Sequence, residues 1–326
     1  MQKSVKILDC TLRDGGYIID WMFGKHSISN LINNLAESKI DYIECGVLKD
    51  CVLNPDKTFY SSPEDLIPFL DTETAFTLMV NFGEYPISKF AKCFSKKLKI
   101  RVAFKKQNQK EALDYVKELV ALGWDVFVNP MSTNTYSNEE LFCLIENINK
   151  INPYGISIVD TLGNMYEKQV VEMFVFIDKI LNPQISLGFH SHNSMQLSFS
   201  NAKALLKMNL NRNLVIDSCL YGMGRGAGNL CTELITKYLN DNFETKYKVL
   251  PLLKSIDKDL KPIFEKTPWG YSTPYYIAAI HGCHPNYAGE LLRKNFSDEK
   301  IDEILSSIPD EKKISFDKNY LLNLIQ

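Results

Sequence analysis

The residues best equipped for chemistry stand in Ile185-Ser-Leu-Gly-Phe-His-Ser-His-Asn-Ser194, a short apolar run ending in two histidines one residue apart. Alternate side chains of a strand share a face, so His190 and His192 project side by side if this run is a strand. Two imidazoles on one face are part of a divalent-cation site, and a third protein ligand would complete it. The alternative is a polar loop in which the histidines only hydrogen-bond. Asp14, in Asp9-Cys-Thr-Leu-Arg-Asp-Gly-Gly16, is the natural third ligand. A carboxylate with two neutral imidazoles suits Mn2+, Mg2+, Co2+ or Zn2+. Otherwise Asp14 caps a turn ahead of Gly15. Arg13 keeps its charge at any working pH and would bind an anionic substrate oxygen beside such an ion, unless it is simply ion-paired. Glu44, in Ile43-Glu-Cys-Gly46, either orients Arg13 or a ligand, or is a satisfied interior charge. Gly222-Met-Gly-Arg-Gly-Ala-Gly-Asn229 has four glycines in eight residues, more than one turn needs, which suggests backbone held close to a ligand.

These motifs are far apart in the chain and need a scaffold that brings them together. Apolar runs of strand type fall at Val5–Cys10, Tyr42–Val47, Ala75–Phe82, Lys99–Phe104, Trp124–Asn129, Gly155–Asp160, Ile185–Phe189 and Leu214–Cys219. Helical spacing follows each: Ser27–Ser38 with a serine cap, Ser62–Leu70 with Pro63 first, Ile87–Phe94, Asn108–Leu122 closed by Gly123, Asn138–Asn149, Glu167–Leu181, Met195–Met208 and Asn229–Leu239. Arg13–Gly16 reads as a loop. Eight strands alternating with eight helices predict a (β/α)8 TIM barrel, an α/β fold whose active site sits at the C-terminal strand ends. A doubly wound open sheet is the competitor, but no G-x-G-x-x-G follows the first strand. After residue 242 the alternation stops. The chain therefore divides into a barrel domain, 1–242, and a C-terminal helical extension, 243–326, packed on it, with Ile301–Ile308 and Asn319–Ile325 as short helices.

A net charge of −2 gives no electrostatic case for nucleic acid or an anionic membrane, and 45% hydrophobic residues fit a substantial core. No run approaches the ~20 apolar residues that cross a bilayer, and the first residues have no signal-peptide core. A cytoplasmic protein is expected. None of the eight cysteines pair as Cys-x-x-Cys, so they read as scattered buried thiols of a reduced compartment.

Taken together, Asp9-x-Thr-Leu-Arg-Asp-Gly15, His190-x-His192-Asn193 and Gly222-x-Gly-x-Gly-Ala-Gly-Asn229 resemble the motifs of the DRE-TIM metallolyase superfamily over residues 4 to 240. The resemblance implies that Asp14, His190 and His192 bind a divalent metal, with Asn229 as a further or outer ligand. It implies that Arg13 stabilises enolate charge and that Glu44 pairs with and orients it. The glycine-rich motif is nearer the hydroxy-oxo-acid aldolases, 4-hydroxy-2-oxovalerate aldolase among them, than the acyl-CoA synthases. The Gly-Gly-Cys-Pro loop of hydroxymethylglutaryl-CoA lyases is absent, and Cys231, expected in a helix, is a poor substitute. Those aldolases keep a histidine base three residues after the motif's aspartate. Here Tyr17 stands in that place, so the base is Tyr17 or a water in the site.

The expected activity is a metal-dependent aldolase that cleaves or forms a 4-hydroxy-2-oxo acid through a pyruvate enolate, most simply with Mn2+. Its partners would be a small 2-oxo acid and an aldehyde. No dehydrogenase partner follows from an extension unlike the one those aldolases use, and a homo-oligomer is open by analogy alone. The alternatives are acyl-CoA condensation or lyase chemistry, and a catalytically silent barrel used for binding. Tyr271, Tyr275 and Tyr276 could close the site but read better as packing. His281 and His284 read as contact residues of an Ala-rich helical run.

Overall fold

The computed structural model describes residues 4–325; Met1–Lys3 and Gln326, the ends of the two expected segments, lie outside the described residues. Eight strands run parallel: β1 Val5–Asp9, β2 Tyr42–Leu48, β3 Ala75–Asn81, β4 Leu98–Phe104, β5 Asp125–Pro130, β6 Gly155–Asp160, β7 Ser186–Ser191 and β8 Leu214–Ser218. Each pairs with its sequence neighbours, and β1 pairs with both β2 and β8, which closes the ring. Phe59–Tyr60 adds a two-residue strand beside the end of β2. The fold is therefore the closed (β/α)8 barrel, not the open sheet. Strands such as β2 and β4 are buried along their whole length, as expected when helices cover one face and barrel-interior side chains fill the other.

The helices after β1, β4, β5, β6, β7 and β8 are α-helices: Lys25–Glu37, Gln109–Ala121, Asn138–Ile151, Glu167–Ile180, Ser198–Leu206 and Thr232–Asn242. Two expected helices are not. Pro63–Phe69 is a 3-10 segment that contains Pro68, whose ring has no N–H for an α-helical bond. Ile87–Phe94 shrinks to a 3-10 turn at Ile87–Lys89, because Phe90 turns extended to pack against Tyr85, Tyr115 and Trp124. The indole of Trp124 donates to the Ala91 carbonyl at 2.9 Å, so a backbone acceptor of that segment serves the aromatic cluster.

Three starts also differ from expectation. The first helix begins at Lys25 behind Gly24 without a side-chain cap, and Ser27 lies inside it. The helix after β7 begins at Ser198, since Met195 first donates its N–H to the Gly163 carbonyl. The last barrel helix begins at Thr232, because Asn229 and Cys231 form bridges to His192 and Cys219. Cys231 is thus extended, not helical. Arg13–Gly16 is not an open loop either: Thr11–Asp14 and Gly16–Ile19 are two short helical turns.

Beyond the barrel, Val249–Ser255 and the residues up to Trp269 join the main core, which takes in Leu252, Ile256 and Leu260. Helices Thr273–Ile280, Pro285–Arg293 and Asp298–Ser307 build a separate core around Tyr287, Leu291, Ile301, Leu305 and Leu321, and Lys318–Leu324 covers its end. His281 and His284 fall outside the helix ending at Ile280: His281 caps it, and His284 caps the next, its Nδ1 accepting from the Asn286 N–H at 3.2 Å. Among the described residues no helix is long and apolar enough to cross a membrane.

Candidate active site

The mouth of the barrel collects the motif residues. His190 is the next-to-last residue of β7 and His192 lies just past its end, with ring centroids 5.4 Å apart. The alternation of strand side chains and the bridge from His192 to Asn229 hold the pair side by side. Asp14 arrives on the helical turn after β1. One ligand atom from each of Asp14, His190 and His192 lies within 4.8 Å of the others, and all three residues are buried.

A belt of alternating charges links the two sides of this cluster. Arg13 donates from Nη1 to Asp14 Oδ1 at 2.6 Å and from Nε to Glu44 Oε2 at 2.7 Å. Arg101, fully buried on β4, lies 3.1 Å from that Glu44 oxygen and donates to Asp217 Oδ2 at 2.5 Å. The same Asp217 oxygen accepts from His190 Nδ1 at 3.0 Å. Buried charges survive only when paired, and here the pairing fixes Asp14 and His190 from behind.

Burial raises the Asp14 carboxyl, but Arg13, His192, His190 and Arg225 together outweigh it and hold it far below the usual carboxylate range. Burial lowers His192 to about 3 against the pull of Asp14, so this imidazole is neutral and free to ligate. For His190 burial also favours the neutral ring, but Asp217 and then Cys10 override it and raise the group to about 9. With Nδ1–H committed to Asp217, a cation at Nε2 would take the place of the second proton.

The residues fit a divalent ion on a second count. His192 Nδ1 and Asn229 Oδ1 are buried without a hydrogen-bond partner, as are Glu44 Oε1 and Asp217 Oδ1. Native interiors rarely leave such atoms unsatisfied, and a cation would engage the first two. Asn229 turns its amide nitrogen to Asp14 Oδ2 and to the Met223 carbonyl at 3.2 Å, so as seated it orients the carboxylate. The glycine-rich segment allows that approach: a Cβ on Gly224 would stand 2.0 Å from Asn229 Nδ2 and 3.0 Å from Asp14 Oδ2. Gly228, at φ +76, would drive a Cβ to 2.1 Å from the Gly222 carbonyl oxygen.

A cavity of about 90 Å3 opens onto Arg13, Asp14, His190 and His192, with Tyr17, Asn129, Thr161 and Arg225 also on its wall. Tyr17 is 39% exposed, packs edge-on against Trp21, and lies under the Arg225 guanidinium at 5.1 Å. Tyr271 and Tyr276 face each other on the surface, and neither they nor Tyr275 lines this cavity. The thiols are less uniform than expected: Cys10, Cys45, Cys219 and Cys283 are buried, but Cys143 is exposed and the other three are partly so. Cys10 and Cys219 lie 3.2 Å apart beneath the cluster.

Sequence reading missed Arg101, Asp217, Asn129 and the part played by Arg225. Two of these had a signal. Arg101 interrupts Leu98-Lys-Ile-Arg-Val-Ala-Phe104, and Asp217 interrupts Leu-Val-Ile-Asp-Ser218. A charge inside an otherwise apolar barrel strand points to an interior network.

Comparison with known proteins agrees with this geometry. Residues 86–254, just over half of the chain, match the HMGL-like family. A curated 4-hydroxy-2-oxovalerate aldolase of Geobacillus genomosp. 3 is 24% identical over 275 residues, 81% of this chain and 79% of that protein. The crystal structure of the N-terminal domain of a putative aldolase from Bacteroides vulgatus superposes with a TM-score of 0.76 at 26% identity, covering 91% of this chain and 99% of that one. The HMG-CoA lyase of Brucella melitensis shares the fold, with a TM-score of 0.62 at 16% identity over 78% of this chain and 96% of its own. The chain belongs to the HMGL-like family, carbon–carbon lyases of the DRE-TIM metallolyase superfamily.

Proposed function

We propose that the protein is a divalent-metal-dependent aldolase that cleaves a 4-hydroxy-2-oxo acid to pyruvate and an aldehyde, or runs the reverse. The observation that carries this reading is the buried convergence of Asp14, His190 and His192 with Arg13 bonded directly to Asp14. Asp14, His190 and His192 would hold the ion, Mn2+ being the first choice for one carboxylate and two imidazoles, with Mg2+, Co2+ or Zn2+ as alternatives. Such an ion supplies Lewis-acid polarisation of an oxo-acid oxygen. Asn229, donating to Asp14, would keep the carboxylate turned to it.

Arg13 carries the electrostatic work. Glu44 and Asp14 anchor Nε and Nη1, and among the described residues no acceptor takes Nη2. As the C3–C4 bond breaks, the electron pair moves toward the C2 oxygen of pyruvate and Arg13 opposes the charge that develops there, a contact stronger in the transition state than in the ground state. Tyr17, on the wall of the same cavity and partly open to solvent, takes the proton of the 4-hydroxyl while its own phenolic proton passes to water, as the substrate oxygen becomes the aldehyde carbonyl. The enolate then takes a proton from water at C3, which closes the proton balance. Glu44 positions Arg13 and does not touch the substrate.

We assign residues 1–242 to the barrel unit and 243–326 to the extension, and place the protein in the cytoplasm, where eight cysteines without a disulfide fit. The test is pyruvate release from 4-hydroxy-2-oxo acids with Mn2+, coupled to lactate dehydrogenase. Turnover that disappears in Arg13→Ala supports the reading. Turnover only with acetyl-CoA and a 2-oxo acid would overturn it.

A further inference from the structure

Beside the small inner cavity lies a second chamber of about 680 Å3. The two share Tyr17, Asn81, Ala103, Met131, Thr161 and Arg225 on their walls, so they adjoin along these residues. The far wall of the outer chamber comes from the C-terminal extension, through His284, Asn286, Ser315 and Phe316 among others. The inner end is of a size for a three-carbon acid. The outer chamber is several times larger than the aldehyde half of a five-carbon substrate would fill.

Its polarity is asymmetric. At the junction Arg225 is half-buried, its Nε is buried without a hydrogen-bond partner, and among the described residues no carboxylate lies within ion-pair distance of it. Its guanidinium is held over the Tyr17 ring at 5.1 Å, a stacking contact that leaves the N–H edge unclaimed. Lys105 stands on the same wall and bonds the Ser315 hydroxyl at 2.7 Å, with no acid partner among the described residues. Buried His284 lies among these groups: after burial, Arg225, His192 and Lys105 act against its charged form, with no carboxylate among the groups that act on it. Lys106 is paired with Glu140, and the chamber's acids, Glu84 and Glu311, are exposed at its rim. An unpaired arginine at the neck of a pocket, reinforced by a lysine, is a receptor for an oxyanion.

We infer that the aldehyde partner carries a phosphate or carboxylate at its far end, which Arg225 and Lys105 bind in the outer chamber while the carbonyl carbon enters the inner one. This rests on the aldolase reading. The reaction remains balanced without a further reactant: pyruvate gives up a C3 proton, C3 bonds to the aldehyde carbon, and the aldehyde oxygen takes a proton to become the 4-hydroxyl. Arg225 is then a specificity-determining residue, and the extension is part of the substrate site.

Two measurements test this. The first is calorimetric binding of unreactive anions, glycerol 3-phosphate and succinate, to the full-length protein, with glycerol as the neutral control. Binding of one anion but not of glycerol, weakened about tenfold or more in Arg225→Gln and largely kept in Arg225→Lys, is expected for a lost charge-assisted contact, and the preferred anion separates phosphate from carboxylate. The second is pyruvate consumption with glyceraldehyde 3-phosphate against glyceraldehyde, and with succinic semialdehyde against butanal. The kcat/KM ratio of charged to neutral partner should exceed one by about tenfold for one pair and fall toward one in Arg225→Gln. Proton exchange at pyruvate C3 without any aldehyde, followed in D2O, keeps the two readings apart. Exchange with no anion binding and no charged-partner preference would overturn the inference and leave the aldolase intact; no exchange with any divalent metal would count against the aldolase itself.

Discussion

At the floor of the barrel, where the strands begin, Lys6, Tyr42, Lys99 and Tyr154 line a cavity of about 700 Å3. At the mouth, Arg13, Asp14, His190 and His192 line one of about 90 Å3. Volume alone would favour the floor. Most of its polar groups, however, satisfy one another, and among the described lining residues only Thr72 Oγ1 is buried without a partner. Tyr42 and Tyr154 share a hydroxyl bond of 2.7 Å, Lys6 donates to Tyr42 at 3.2 Å, and Lys99 donates to Asp125 at 2.8 Å. Lys99 also sits 4.2 Å over the Tyr154 ring, and Tyr247 donates to Asp41 at 2.6 Å. At the mouth, by contrast, His192, Asn229, Glu44 and Asp217 each keep a buried atom with nothing to bond. The floor is close to a finished piece of structure, with one such atom against four at the mouth. The mouth is built for a guest, and unsatisfied buried atoms mark it better than empty space does.

The sharpest way to break this contrast is at the ligands. His190→Ala/His192→Ala should lose both its divalent ion, measured by elemental analysis of purified protein, and all pyruvate release; unchanged metal content would sink the site. Arg13→Ala should keep the ion and lose about a hundred- to a thousandfold in kcat, the usual cost of removing a donor to a developing oxyanion. Asp217→Asn should weaken Mn2+ binding by about ten- to a hundredfold by calorimetry, because Asp217 sets the tautomer of His190. At the floor, Tyr154→Phe should cost about 1 kcal/mol in urea unfolding and leave turnover alone. A loss of activity there would erase the distinction between the two ends.

The smallest effect is a pH slope from Asp9, which accepts from Thr232 Oγ1 at 2.6 Å and from the Thr11 N–H at 3.0 Å. Burial raises this carboxyl from 3.8 to about 6 despite those bonds. Between those values the folded protein holds a proton that the unfolded chain has released, so stability falls as pH rises through that window. Thermal midpoints at pH 4 and pH 7 should therefore drop more in the wild type than in Asp9→Asn.

Most of the barrel was legible because a strand buried on both faces must be apolar along its length, and such runs recur between helical spacings in this chain. The failures came where tertiary contacts overrode local pattern. Ile87–Phe94 has helical spacing, but Phe90 is worth more in an aromatic cluster with Trp124 than in a helix. Asn229 and Cys231 fall in a stretch of helical spacing, and nothing in their order reveals that they bridge to His192 and Cys219 across the barrel mouth.

By itself the sequence determined the candidate ligand types and their places at strand ends: an aspartate after the first strand, two histidines at the seventh, and a glycine-rich turn after the eighth. Those are properties of residue type and strand period, and they are local. Only the tertiary structure decided that Arg101 joins Glu44 to Asp217, that Arg225 has no ion-pair partner among the described residues, and that the extension walls the mouth through His284 and Phe316. Each of these joins elements from distant parts of the chain, and electrostatic pairing depends on distance through space, which residue order does not encode.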